Sequence, residues 1–205
     1  MGFSLTLRLS ALIAGVLFAA GYCIVILIPG GGDVSADDFT DFYGSDGKIF
    51  ASFVLVLVLL AGCLALVWFF TELKTRLGDD MLTRVGYVVS MIGAGAVAVG
   101  GAILSAPGGV QQNSDAEFVG VAIAHTLAQA GLLVMLVVGM YSLALGTALF
   151  SLSARRAALM PPWLSITGVV VAIVMLGSYI WAPGFIFPVW VVVIGLVGVR
   201  RRAGA

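Results

Sequence analysis

The chain has 205 residues, of which 61% are hydrophobic and only 10% are charged, and its mean hydropathy is +1.17. Soluble domains are near half apolar and a quarter charged, so this composition excludes a soluble monomer. The 10 basic and 10 acidic residues balance, which gives no field for nucleic acid, and 2 Cys exclude a disulfide-rich secreted chain. At roughly 20 residues per span, the apolar content predicts an all-α integral membrane protein with about six transmembrane helices.

Six apolar runs, separated by charges or by Gly/Pro clusters, are predicted to cross the bilayer. They cover residues 9–29, 49–71, 85–106, 118–150, 163–182 and 185–199. The first run is expected to be retained, because about 20 apolar residues exceed the core of a signal peptide. Only residues 182–184 divide the last two runs. The sixth, at about 15 residues, is shorter than an ordinary span and is expected to be a thin or tilted partner of the fifth.

The basic residues are distributed unevenly between alternate loops. If the amino terminus lies inside, the outer segments hold only Lys48. The inner segments hold the other nine basic residues: Arg8, Lys74, Arg76, Arg84, Arg155, Arg156, Arg200, Arg201 and Arg202. This asymmetry predicts both termini on the cytoplasmic side of one single-domain bundle. Eight Arg against two Lys are typical of a GC-rich bacterium, so we expect the bacterial cytoplasmic membrane as the location.

Local signals mark several helix ends. Gly78 is a typical left-handed helix stop, and Asp79 or Asp80 can cap the next helix. The residues Pro107, Gly108 and Gly109 predict a break after the third span. Ser114 followed by Glu117 predicts a capping box that opens the fourth span.

The outer loop over residues 30–48 is short and acidic. Ser35 and Asp38 predict a capping box, and Phe39, Phe42 and Tyr43 follow on one face of a short helix that Gly44 ends. This helix is expected to lie on the outer surface or to cap the bundle. As a functional element it would be a lid or a vestibule that attracts cations. The alternative is a solvated loop with an interfacial anchor.

One pair of polar residues lies deep in the fourth span. His125 and Gln129 are four residues apart and therefore share one helix face. Residues available at similar depth are Tyr22, Ser105, Ser178 and Tyr179. One hypothesis is an outward-facing pocket for a small ligand, ion or proton, lined by His125, Gln129, Tyr22, Ser178 and Tyr179, with His125 as the titrating group. The other is an interhelical hydrogen-bond network worth about 0.6 kcal/mol per bond.

The sequence offers little catalytic chemistry. It has one His and none of the common nucleophile, phosphate-loop or metal-ligand motifs, so no metal and no cofactor are expected. Cys23 and Cys63 lie at different predicted depths and are expected to be free thiols. We therefore expect a non-enzymatic accessory or small-ligand-binding and sensing protein. A small transporter or channel is the alternative, and a lipid-modifying enzyme is the least favoured class.

Two spans have a distinctive composition. The third contains a small-residue stripe of Ala94, Ala98 and Ala102 beside several Gly, which favours close helix packing. That packing could occur within the bundle, in a homo-oligomer or against another membrane protein. The lipid bilayer is the other expected partner. The fourth run can continue to Ala158 before Pro161 and Pro162 start the next helix. A run of this length is expected to be tilted, kinked near Gly131 or Gly139, or protruding into the cytoplasm.

The last 60 residues carry a recognisable pattern. Residues 158–164 read Ala-Leu-Met-Pro-Pro-Trp-Leu, and a span containing Gly168, a turn over residues 187–190 and a final helix ending in three Arg follow. This pattern resembles small bacterial polytopic membrane proteins of unknown function. Pro162 stands where Arg is common in those proteins. The resemblance implies a helical membrane protein and brings no activity or site.

Overall fold

The computed structural model describes residues 5–29, 35–113 and 120–197. Within these ranges the chain forms helices and turns and no strand. The α-helices are α1 Leu5–Tyr22, α2 Ile24–Leu27, α3 Ala36–Tyr43, α4 Asp46–Leu77, α5 Met81–Asn113, α6 Val121–Leu132, α7 Met140–Arg156, α8 Pro162–Met175 and α9 Ile186–Val197. A π segment, Leu133–Gly139, joins α6 to α7, and the 3₁₀ turns Ser178–Ile180 and Ala182–Phe185 join α8 to α9.

In the described chain, four continuous helical stretches are long and apolar enough to cross a membrane. They are Leu5–Leu27, Asp46–Leu77, Met81–Gln111 and Val121–Arg156. Two further apolar stretches, Pro162–Met175 and Ala182–Val197, are shorter. The prediction of an all-α fold is therefore confirmed for the described residues, with four helices long and apolar enough to cross a membrane.

The helices close into a ring. Going around it, α1 packs on α4, α4 on α5, α5 on α6 and α7, α7 on α8, α8 on α9, and α9 back on α1. Phe18, Phe70, Phe150 and Phe187 come from four of these helices and are each fully buried. Their ring centroids lie 5.5 Å apart for Phe18–Phe187 and for Phe70–Phe150, and 6.5 Å apart for Phe70–Phe187. These aromatic rings fill the middle of the ring of helices at their level.

The α4–α5 hairpin has the predicted end signals. Gly78 ends α4 with φ of 87°, the backbone region in which glycine meets no steric penalty. The Asp80 carboxylate accepts a 2.8 Å hydrogen bond from the Thr83 N–H, so Asp80 is the residue that caps α5.

The first and last helices are joined by a side chain. The Arg8 guanidinium of α1 donates a 3.0 Å hydrogen bond to the Gly195 carbonyl and so caps the last turn of α9.

The predicted break at Pro107 is wrong. Helix α5 passes through Pro107 and both following glycines and ends at Asn113. The reason is tertiary packing: the Cβ position of Gly108 lies 3.2 Å from Ile49 Cγ2, and that of Gly109 lies 3.5 Å from the ring of Phe53. Contact with the start of α4 therefore holds this turn helical despite the missing proline N–H. The Ser114–Glu117 capping box lies outside the described residues.

The close contact between α5 and the fourth helical run is made by glycine rather than by the alanine stripe. Ala94 is buried and Ala98 half-buried, but Ala102 is exposed. A Cβ at Gly100 would lie 2.7 Å from the Gly131 carbonyl oxygen, and one at Gly93 would lie 2.9 Å from the Gly139 carbonyl oxygen. Gly86 faces Gly146 in the same way, with a Cβ at Gly146 3.1 Å from the Gly86 carbonyl oxygen. The backbones approach each other where neither helix has a side chain.

The π segment adjusts the register of this glycine contact. On α5 the three glycines are spaced by seven residues, whereas Gly131 and Gly139 are eight residues apart. Seven residues nearly complete two α-helical turns, so an eighth would rotate Gly139 away from α5. The wider turns of the π segment absorb the extra residue and keep both glycines on the contact face. The predicted irregularity between Gly131 and Gly139 is thus a π segment.

The C-terminal helices differ from their predicted bounds. Pro162 is the first residue of α8, as expected, but α8 ends at Met175 rather than at residue 182. The predicted turn at residues 187–190 is wrong, because these residues form the first turns of α9. The chain instead turns at residues 176–185, where Gly184 packs directly on the Tyr22 ring and a larger residue would collide with it. The arginine cluster at residues 200–202 lies outside the described residues.

Candidate functional site

Helix α3 begins with the predicted capping box. The Asp38 N–H donates to Ser35 Oγ at 3.2 Å, and the Asp38 carboxylate accepts from the Ser35 N–H at 2.9 Å and from its hydroxyl at 2.7 Å. These hydrogen bonds, the one from the Ser35 side chain first, hold the pKa of Asp38 below its usual value. The box fixes the start of an eight-residue helix that would be marginal by itself.

The aromatic face of α3 packs into the bundle. Phe39, Phe42 and Tyr43 are only 1%, 4% and 4% exposed. Burial raises the pKa of Tyr43 to about 12. Helix α3 therefore caps one end of the bundle, as one of the two sequence interpretations held, and its contacts are with α4 and α6.

The cap rests on the only histidine of the chain. The Phe39 ring and the half-buried His125 imidazole make a T-shaped contact, with ring centroids 5.5 Å apart and planes at 74°. The Gln129 amide lies 3.3 Å from His125 Nε2, as the four-residue spacing predicts. When the amide nitrogen donates this bond, Nε2 is the accepting nitrogen of the imidazole. The pair thus presents adjacent donor and acceptor groups beneath an aromatic cover.

The other predicted site residues serve the C-terminal turns. Tyr22 is fully buried and its hydroxyl donates to the Trp181 carbonyl at 3.2 Å. The buried Ser178 hydroxyl donates to the Leu136 carbonyl in the π segment at 3.2 Å. The Ser105 hydroxyl bonds to its own helix at the Ala102 carbonyl. The described hydrogen bonds of Tyr22, Ser105 and Ser178 thus go to main-chain carbonyls, and the side chain of Tyr179 lies outside what the structure describes.

Ser178 has a specific structural role. A π segment shifts the main-chain bonding pattern, and such shifts leave carbonyl groups that require other donors in a membrane. The hydroxyl of Ser178 satisfies the carbonyl of Leu136, so the turn after α8 is fastened to the middle of the fourth helical run. Sequence reasoning identified Ser178 as a polar residue at depth and missed this role.

Phe39 is the residue of the site that the sequence analysis did not assign. Its position on the apolar face of α3 was visible from the spacing of Phe39, Phe42 and Tyr43. The helix beneath that face was not visible, because only the folded chain brings α3 onto α6.

The described residues hold no group of three or more His, Cys, Asp or Glu that could bind a metal ion. Cys23 and Cys63 are free, as predicted.

No protein-family model, curated protein or solved structure matches this chain. The groups that the site offers for binding are an imidazole, an amide and an aromatic ring.

Proposed function

We propose that this protein is a non-enzymatic, small-ligand-binding or sensing protein of the bacterial cytoplasmic membrane, with its site beneath α3 on the outer face. It has six spans, in which α8 and α9 complete the ring as short fifth and sixth spans, and both termini are cytoplasmic. The distribution of nine basic residues against one supports this orientation. It places α3, His125 and Gln129 on the outer side.

The contact of Phe39 with His125 is the observation that carries the proposal. Ionisable groups within membrane helices are costly and by default mark functional sites. Here the half-buried His125, four residues after the start of α6, is contacted by the Phe39 ring of a separate short helix. Displacement of α3 would expose the imidazole and the amide together, which gives a ligand access and couples its binding to a movement of α3.

The surroundings of the cap favour a particular ligand charge. Asp37, Asp38 and Asp41 face water on the outer side of α3. Their negative field attracts cations and repels anions. We therefore expect a small neutral or cationic molecule with groups that can bond to both an imidazole and an amide.

Native mass spectrometry of the protein in nanodiscs from its own membrane tests this function. We expect a small molecule bound to the unmodified protein and lost from a His125→Ala, Gln129→Ala double variant. The matched control is Thr126→Ala, because Thr126 is exposed and bonds only to its own helix at the Ala122 carbonyl. An adduct that persists in the double variant, or no adduct on the unmodified protein, counts against a ligand site beneath α3.

A transporter is the second candidate, and the π segment is the observation that favours it. This segment begins four residues after Gln129, and π segments frequently occur at functional sites. The buried aromatic rings of Phe70, Phe150 and Phe187 oppose an open channel, because they fill the ring of helices. Solute uptake by liposomes containing the purified protein, abolished by Gln129→Ala, would favour transport over sensing.

A further inference from the structure

A second polar group lies near the opposite end of the bundle from α3. It consists of four hydroxyls and one indole N–H that have no hydrogen-bond partner among the described residues. Each of these side chains is at most 3% exposed. The residues, which we call the hydroxyl cluster, are Ser90, Thr147, Ser151, Ser165 and Trp190.

Seven other helical hydroxyls of this chain behave differently. They donate to a carbonyl three or four residues earlier in their own helix, which is the ordinary solution in a membrane. This group comprises Ser10, Ser52, Thr71, Thr75, Ser105, Thr126 and Thr167. The hydroxyls of the cluster are therefore turned towards the space between helices.

The members of the cluster are connected by contacts across four helices. Ser90 of α5 packs directly on Gly146, the neighbour of Thr147 in α7. Ser151 lies one turn further along α7 and packs directly on Gly168 of α8. A Cβ at Gly168 would also lie 2.9 Å from Trp190 Cζ2 of α9. Ser165 is one turn from Gly168 on α8, so Ser151, Ser165 and Trp190 lie together where α7, α8 and α9 meet, and Ser90 lies at the adjoining contact of α5 with α7.

The glycine contacts do not satisfy these groups. A hydroxyl oxygen resting on a glycine can accept a weak C–H···O bond, but its own proton still needs an acceptor. The cluster thus holds five donor protons in a region that lies within the apolar length of the helices. Ser151 is five residues, or about 8 Å, from the end of α7. Buried donors without an acceptor are rare in folded proteins because they are costly.

We propose that the hydroxyl cluster is hydrated internally, by two or three ordered water molecules that lie where α7, α8 and α9 meet and at the adjoining contact of α5 with α7. A buried water makes about three hydrogen bonds to otherwise unsatisfied groups, so roughly two or three waters serve five donors. The five side chains carry no charge, which suits water rather than an ion. This site does not depend on the proposed ligand site, because it involves different residues near the other end of the bundle.

Radiolytic hydroxyl-radical labelling of the unmodified protein in ¹⁸O water tests the proposal directly. Resident water gives Trp190 an ¹⁸O label despite its 3% exposure. Phe187, fully buried on the same helix, is the control, and rates are normalised to those of the free amino acids. We expect severalfold more label on Trp190 than on Phe187. Equal labelling of the two residues overturns the proposal.

The melting temperature of Ser151→Ala provides a second test, because its direction depends on the occupant. If water bonds to Ser151, alanine removes a satisfied group, and the melting temperature falls by about 2–4 °C. If the hydroxyl is unsatisfied, alanine removes a costly group, and the melting temperature rises. Ser52→Ala is the matched control, since Ser52 is equally buried but bonds to the Ile49 carbonyl. A rise for Ser151→Ala overturns the proposal.

Discussion

At the residue scale, Asp80 joins three parts of the molecule. Its carboxylate accepts from the Thr83 N–H at 2.8 Å and from the Ser153 hydroxyl at 2.7 Å, and that hydroxyl also lies 2.7 Å from Thr83 Oγ1. Asp80 thereby caps α5 and connects the α4–α5 hairpin to the end of α7. This network lies at the end of the bundle opposite α3.

These contacts predict a pH dependence of stability. Partial burial acts to raise the pKa of Asp80, but hydrogen bonds from Thr83 and Ser153 outweigh it and hold the pKa below the ordinary 3.8. A lowered pKa stabilises the fold above the unfolded value, and the contribution is lost as pH falls below about 3.8. We expect the melting temperature in detergent to fall across this acidic range, and to fall less in Asp80→Asn.

The neighbouring Asp79 is the control for this prediction. It forms an exposed ion pair with Arg84, 3.0 Å between Oδ1 and Nε, and such pairs contribute less than about 1 kcal/mol. Asp79→Asn should keep the acid dependence of the unmodified protein. If Asp79→Asn flattens it as much as Asp80→Asn does, the Asp80 network is not its source.

At the element scale, the glycine contact between α5 and the fourth helical run determines how closely the helices approach. A Cβ at Gly100 would lie 2.7 Å from the Gly131 carbonyl oxygen and from the Met135 N, whereas a Cβ at Gly95 meets nothing within 4 Å. Gly100→Ala should therefore destabilise the protein by about 1–3 kcal/mol. Gly95→Ala should be neutral or stabilise it by up to about 1 kcal/mol, because alanine favours a helix.

Thermal unfolding of the two glycine variants in the same detergent measures this difference. Both substitutions add one methyl group to α5, so only the space available to it differs. Equal melting temperatures for the two variants would contradict the close backbone approach at Gly100.

The π segment leads to a second prediction for an element. Deletion of Val134 would place Gly131 and Gly139 seven positions apart instead of eight, which matches the spacing of the glycines on α5. We expect the fourth helical run of this variant to be a regular α-helix without the Leu136–Ser178 hydrogen bond. The protein should remain monodisperse in size-exclusion chromatography. Deletion of Leu60, in the regular part of α4, rotates every later residue by about 100° and should abolish folding. Aggregation of the Val134 deletion would contradict the register argument.

The sequence predicted those features that depend on neighbours in the chain. The capping box of Ser35 and Asp38, the cap at Asp80 and the pairing of His125 with Gln129 all follow from spacings of three or four residues. Helix continuity at Pro107, the π segment and the cover of Phe39 over His125 depend on which helices meet. A single sequence does not contain that information in local form, so these features were missed or misjudged.

At the scale of the whole molecule, the protein is a ring of helices with two different ends. One end carries the α3 cap over His125 and Gln129, and the other carries the hydroxyl cluster and the Asp80 network. The buried aromatic rings of Phe18, Phe70, Phe150 and Phe187 fill the ring between α1, α4, α7 and α9. The proposed function assigns ligand binding to the capped end, and the buried aromatic rings oppose conduction through the centre.

The central claim is that the site beneath α3 faces outwards and opens when α3 moves. Its most direct test is the reaction of Gln129→Cys, in a chain with Cys23→Ala and Cys63→Ala, with a membrane-impermeant thiol reagent applied to intact cells. Arg155→Cys, at the opposite end, is the control and should react only in inverted vesicles. We predict that position 129 reacts from outside, and severalfold faster when Phe39→Ala weakens the cap. The claim is contradicted if Gln129→Cys reacts only in inverted vesicles. It is also contradicted if Gln129→Cys reacts at the same rate with Phe39 and with Phe39→Ala.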